Sequence, residues 1–266
     1  WHESGRVNMR FLPIFLIFSL SEMIVAETSE QYVVRSEFMF CKYNEGKGYN
    51  DVVEQSKQYQ KFLEEKGLKY TRYVMTPIWA GKQEYDYILS GNWPDGQEQY
   101  REWGAYLNEY PQWLAEQDID VSQAGTCSAS VSMRNHAVMR IRINQDDYDR
   151  INFVDLRNCN FTENASMSDL KTFYVEYERA NRDFGREGFG INLFTPYRGF
   201  DTDINFDFVN MTYWYNAEKR SEMIASYREW NDFITKTNLP EERQSLIEGC
   251  SPPKTWASEW IFSTGR

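Results

Sequence analysis

"YREW" occupies Tyr100–Trp103, and the same four letters return at Tyr227–Trp230. A single tetrapeptide match is chance, but ordered landmarks around it are not. Upstream, "CKYNEGKGYND" (Cys41–Asp51) aligns without a gap to "CNFTENASMSD" (Cys159–Asp169). That register pairs the cysteines, Glu45 with Glu163 and Asp51 with Asp169, and runs on to Tyr59 and Tyr177. "VMTPIW" (Val74–Trp79) answers "LFTPYR" (Leu193–Arg198), and "YDYILSGNW" (Tyr85–Trp93) answers "FDFVNMTYW" (Phe206–Trp214). One more cysteine follows each YREW, Cys127 and Cys250. These landmarks, in one order, identify an internal duplication.

Each copy carries the same element pattern. A strand, "YVVRSEFMF" (Tyr32–Phe40) or "RINFVDLRN" (Arg150–Asn158), leads to a cysteine. A helix is expected next, over Val52–Lys66 and Leu170–Phe184, with Asn50 and Ser168 as N-caps and Asp51 and Asp169 in the first turn. Aromatic residues recur there at helical spacing, and Gly67 and Gly185 supply stops. Two strands follow, joined by turn-rich segments, then the YREW helix and a last strand, "AVMRIRI" or "WASEWIF". The order β-α-β-β-α-β is the split-βαβ, or ferredoxin-like, unit. Tyr and Trp of YREW stand three apart and share a helix face. That face, with Met223, Ile224 and Ile234 in the second copy, is expected on the sheet, with Arg and Glu outward.

The cysteines fit this topology. With strand order 4-1-3-2, the end of strand one lies beside the start of strand four. Cys41–Cys127 and Cys159–Cys250 are the pairs expected, one within each copy; four cysteines allow three pairings, and this one respects the repeat. No C-x-x-C occurs, and no metal site is expected.

A tandem pair of such aromatic-rich units resembles the dimeric α/β-barrel superfamily. That superfamily includes cofactor-free monooxygenases of the antibiotic-biosynthesis type, stress-responsive barrel proteins, and fused haem forms such as chlorite dismutases. The resemblance covers about residues 30–266, at the level of element order and duplication, and no catalytic motif of a named member is present. It implies an α+β fold in which two tandem ferredoxin-like repeats form a fused pseudo-dimeric α/β barrel, with a pocket between sheet and helices. Fold alone implies no activity.

Bulk properties bound the function. The chain has 266 residues, 41% hydrophobic and 17% aromatic, enough for two cored units. Its formal charge of −11 disfavours nucleic acid and anionic membrane surfaces. Trp1–Asn8 precede a start at Met9; Arg10, the apolar Phe11–Leu20 and a cleavage residue at Ala26 read as a secretory signal, with a retained anchor as the alternative. The expected divisions are a leader and signal peptide (1–26), a first repeat (27–145) and a second (146–266). A periplasmic or secreted location follows, with disulfides favoured there and no stable membrane insertion after cleavage.

Candidate chemistry is sparse. Asp86 and Asp207 sit at matched positions in the aromatic strands; a half-buried carboxylate there suits general acid–base work, against an alternative of ion pairing or solvent exposure. Tyr73, Trp79, Trp93, Tyr197, Arg198 and Trp214 cluster at strand ends as the expected ligand-binding wall, or as core aromatics. Glu45 and Glu163 read as loop or capping residues. His136 is a lone histidine beyond the leader, a haem axial ligand in the haem-form analogy and a loop or strand-start residue otherwise. Sequons at Asn160, Asn164 and Asn210 are assigned no role. Three readings stay open: a binding protein for a small apolar or aromatic molecule without a cofactor, a cofactor-independent monooxygenase- or isomerase-like enzyme, and a structural or interaction protein. Monomer and homodimer are both compatible.

Overall fold

The computed structural model describes residues 33–119 and 123–265. The leader expectation for residues 1–26 lies outside them. The first copy runs β1 (Val34–Tyr43), α1 (Tyr49–Glu65), β2 (Thr71–Trp79), β3 (Tyr87–Trp93), α2 (Gly96–Asn108), α3 (Tyr110–Glu116) and β4 (Gly125–Ile141). A short 3-10 turn, Gln145–Asp147, leads to the second: β5 (Ile151–Phe161), α4 (Met167–Phe184), β6 (Phe189–Arg198) and β7 (Phe208–Trp214). Then come α5 (Ala217–Ala225), α6 (Tyr227–Ile234), α7 (Leu239–Leu246), β8 (Ile247–Cys250) and β9 (Lys254–Ser263). This is an α+β chain with one large antiparallel sheet.

The sheet bonds in the order β7-β6-β4-β1-β3-β2-β9-β5-β8, and β5 also pairs with β7. That extra pairing closes eight strands into a ring, with β8 beside the end of β5. Two long strands cross between the halves. β4 pairs first with β1 and then with β6, while β9 pairs with both β5 and β2. Side chains alternate across the ring. Phe38, Met75, Ile88, Met133, Phe194, Val209 and Trp256 fill its interior as one cluster. Outside the ring lie three further clusters, one around Phe62, Tyr70, Trp93 and Phe262, one around Phe173, Leu193, Phe208 and Trp230, and a smaller one around Cys41, Val52, Val74 and Tyr87.

The expected first helices form, but each begins earlier than expected, at Tyr49 and at Met167, by the same offset in both copies. Gly48 and Ser166, rather than Asn50 and Ser168, are the N-caps. Asp51 and Asp169 each accept a backbone N–H from the cap residue, at 2.9 and 3.0 Å. Gly185 stops α4 at φ 87°, a left-handed cap.

YREW corrects the sequence reading. Tyr100 and Tyr227 are 55% and 66% exposed, and Ile224 is 67% exposed. Trp230 packs inward as expected, whereas in the first copy it is Glu102 that is buried, at 4% exposure. The buried face of α2 runs Glu98, Gln99, Glu102, Ala105, so polar residues hold the helical spacing that an apolar stripe would take. In the second copy the helix breaks at Ser226, between α5 and α6, and the face does not continue through Ile224.

Cys41 joins Cys127 and Cys159 joins Cys250, the pairs expected, and among the described residues no cysteine is free. Each bond crosses neighbouring antiparallel strands at a register pair. The cystines close spans of 86 and 91 residues, worth roughly 4–5 kcal/mol each in the chain-entropy model. Replacing Cys159 and Cys250 together by Ala should therefore lower the unfolding free energy by about 4 kcal/mol in urea titration. A loss below about 1 kcal/mol would show that residual structure in the unfolded chain already supplies most of that constraint.

Candidate functional site

In β1, Phe38 and Phe40 point into the ring, while Glu37, Met39 and Cys41 face the helices. A cavity of about 230 Å³ lies on that outer face. Its floor is Glu37 and Met39 of β1, Arg72 of β2, Tyr87 and Leu89 of β3, and Gly125 and Cys127 of β4. Its roof is Val52, Ser56 and Tyr59 of α1, Glu102, Trp103 and Tyr106 of α2, and Tyr110 of α3. Gln55, Tyr106, Tyr110 and Gln123 also line a surface groove of about 490 Å³, so the cavity opens between them.

The polar groups form two linked sets. Tyr70 Oη donates to Glu37 Oε1 at 2.6 Å, and Arg72 Nη2 donates to Tyr70 Oη at 3.3 Å. The Arg72 guanidinium lies 4.7 Å from the Tyr59 ring centre and 5.2 Å from that of Tyr70. Tyr59 Oη donates in turn to Glu102 Oε1. Of the buried atoms without a hydrogen-bond partner among the described residues, three belong to this set: Glu37 Oε2, Glu102 Oε2 and Arg72 Nε. An unsatisfied buried polar atom costs about 1–3 kcal/mol, so three on one cavity's residues mark it as a place for a polar partner. Glycine makes the arrangement possible: a Cβ at Gly91 would stand 2.0 Å from Tyr70 Oη.

Burial, and then the charge of Glu37, push the Glu102 carboxyl up to about 9. Burial also raises Glu37, opposed by the Tyr70 hydrogen bond and by Arg72. At neutral pH Glu102 is thus a carboxylic acid. Its Oε1 accepts from Tyr59, which leaves Oε2 to carry the proton.

The second half does not repeat this site. Asp155 stands where Glu37 does, four residues before its cysteine, but Arg220 holds it at 3.1 Å and Thr255 Oγ1 donates to it at 2.6 Å. Glu229, the counterpart of Glu102, is exposed. Trp230 instead packs within 6 Å of Tyr177, Phe184 and Phe233, with Arg186 at 4.3 Å over its ring.

The residues expected from sequence lie elsewhere. Asp86 and Asp207 are exposed, just ahead of β3 and β7 rather than half-buried within them. Each accepts a backbone N–H two residues past a cysteine, Tyr43 at 2.9 Å and Phe161 at 2.8 Å, and so fastens the end of strand one in its half. Trp93 and Trp214 are buried at strand ends, and Trp79 is 68% exposed. Arg220 brings Trp79 and Trp214 together, at 5.9 and 4.6 Å. Tyr197 and Arg198 sit at the end of β6, with Arg35 and Arg134 also against the Tyr197 ring. Tyr73 faces Trp260 across β2 and β9. The cavity is lined by none of these eight. His136 lies within β4 rather than in a loop, 3.4 Å from Thr195 Oγ1, and burial, Lys171, Arg134 and Arg35 lower it to about 4.

No family model matches the chain, and no curated protein does. Among solved structures it is similar to an anthrone oxidase-like protein, with TM-score 0.47, 10% identity, 90% of this chain and 96% of that one covered. It is also similar to chlorite dismutase from Candidatus Nitrospira defluvii in complex with imidazole, with TM-score 0.47, 7% identity, and 89% and 94% covered. A haem-binding protein from Thermus thermophilus gives TM-score 0.45 and 9% identity over 86% and 91%. The cavity's residues do not fit a haem. None is histidine, and the volume falls below the roughly 300–1,000 Å³ of sites that enclose drug-sized ligands. Among the described residues no cluster of His, Cys, Asp and Glu is placed to hold a metal ion.

A carboxyl raised from the ordinary range in the folded state gives stability that is fully present below its unfolded value and is lost as pH rises toward about 9. Glu102→Gln removes that loss. Its unfolding free energy relative to the parent should climb between pH 5 and pH 8, by up to about 1.4 kcal/mol per unit. A difference that is flat with pH would mean Glu102 ionises freely in the fold.

Proposed function

We propose that this chain is a pair of tandem ferredoxin-like units, 27–145 and 146–266, fused into one α/β barrel whose first unit binds a small molecule. The shared element order, the matched capping boxes and the strand pairings β4–β6 and β2–β9 support the architecture. Two cystines support an oxidising, exported location. No helix among the described residues is long and apolar enough to cross a membrane.

One observation carries the binding reading. Glu37, Arg72 and Glu102 leave unpartnered polar atoms in the wall of a mixed cavity, where rings and aliphatic groups alternate with Gln55, Ser56 and Gln123. Polar groups placed among aromatic side chains can orient a ligand that the rings pack against. The cavity exceeds the ~150 Å³ that holds benzene in an engineered core, so a molecule of one or two rings is the size class. The interior of the barrel is packed by Phe38, Phe194, Trp256 and their neighbours.

A second reading, proton transfer without a cofactor, is favoured by the difference between the two carboxyls. Burial raises both carboxyls, and only Glu37 has Tyr70 and Arg72 opposing that rise, which gives the pair unlike surroundings suited to a donor and an acceptor. This moves the acid–base role from Asp86 and Asp207 to Glu37 and Glu102.

Native mass spectrometry of protein secreted by its expression host tests the binding reading, together with ligand-observed NMR against a panel of one- and two-ring molecules. Ser56 is buried in the cavity roof, and among the described residues its hydroxyl bonds its own helix, to Val52 O. Ser56→Leu should fold normally and weaken binding at least tenfold by filling the space. A parent protein that binds nothing in the panel would return the chain to the interaction-protein reading.

A further inference from the structure

We infer that the ligand of this cavity is a small organic cation, an ammonium head seated between Glu37 and Glu102 with its aromatic or apolar body under α2 and α3. The inference rests on the small-molecule reading and names its ligand class.

Charge is the first ground. Two carboxyls meet one guanidinium, and Arg72 is already spent on Tyr70 and the Glu37 side. With both carboxyls ionised the set would carry one negative charge more than Arg72 balances, so Glu102 keeps a proton that a bound cation could replace. Glu102 Oε2 and Glu37 Oε2, both on side chains 4% exposed, are the atoms that await it.

The walls are the second. Tyr59, Trp103, Tyr106 and Tyr110 line the same space, and ring faces attract ammonium groups while tolerating their methyl substituents. Access is the third. Asp51 and Glu54 line the outer groove, with Lys47 3.7 Å from Asp51, on a chain of formal charge −11. A cation is drawn to such a mouth and an anion repelled.

Binding of a cation to Glu102 must displace its proton. Glu102 interacts with Tyr59 of α1 and Glu37 of β1, and the other titratable or charged groups lining the cavity are Arg72 of β2, Tyr87 of β3, Tyr106 of α2 and Tyr110 of α3. Tyr87 and Tyr110 are raised by burial to about 12, so they do not ionise between pH 7 and 9.

Three probes separate the possibilities: phenyltrimethylammonium, whose charge is independent of pH, its neutral isostere tert-butylbenzene, and benzoate. Calorimetry on the full secreted chain should show the cation bound most tightly, gaining up to about tenfold per pH unit from 7 toward 9. Glu102→Gln, which keeps the shape, should cost the cation at least tenfold, abolish the pH dependence and leave tert-butylbenzene unchanged. Equal binding of cation and isostere, indifferent to pH and to Glu102→Gln, would overturn the cation while leaving an apolar pocket. Preference for benzoate would overturn it in favour of an anion on Arg72. Failure of all three probes, and of the wider panel, would remove the pocket reading itself.

Discussion

The closure of the sheet is the constraint on which everything else depends. β4 and β9 each pair with two strands, one from their own half and one from the other. A closed ring has no bonding edge to protect. It also has an inside and an outside, and period-two alternation sorts every strand between them. Apolar side chains, among them Phe38, Phe194, Met75, Met133 and Trp256, pack the inside. Polar groups that serve a ligand are left to the outer face, under the helices.

On that face the two halves have taken different solutions to one geometry. Both place an acid four residues before the first cysteine and a glutamate in YREW. In the second half the acid is answered by Arg220 and Thr255, and the glutamate turns to solvent while Trp230 takes the interior. In the first, both acids stay buried; Glu37 reaches Arg72 through the Tyr70 hydroxyl, and Glu102 accepts from Tyr59, whose ring lies against that guanidinium. Burying a carboxyl without a full set of partners is expensive, and a protein can lower the cost by keeping the proton. Two similarly ordered halves in one chain permit this asymmetry, because one can keep a well-packed core while the other carries buried polar atoms without partners.

Much of the fold was legible because it was written twice. Repeated landmarks located the elements, and the strand order implied by them placed the cysteines. The site was legible only afterward. Glu102 lies inside the very motif that revealed the duplication, and ordinary amphipathic logic turns a Glu outward and a Tyr inward. The reverse holds here because α2 presents Glu98, Gln99 and Glu102 to the sheet, a polar stripe that reads as solvent-facing until its partners on β1 and β2 are known. The alternation Arg35, Glu37, Met39 on β1 was the available signal, charges on the face that a helix must cover. Asp86 and Asp207 misled for the opposite reason. Their matched positions reflect a matched structural duty, a hydrogen bond to the chain beyond each cysteine.

The shared strands also set an order for biosynthesis. Cys41 and Cys127 can meet once β1 and β4 have left the ribosome, but the outer stretch of β4 waits for β6, and β2 waits for β9, the last described strand. Until residues 254–263 emerge, the nascent chain carries an unsatisfied strand edge on β2, separated from its partner by most of the chain's length. Such edges invite pairing with other chains. Whatever receives the nascent chain, rather than the finished fold, must shield that edge through the interval.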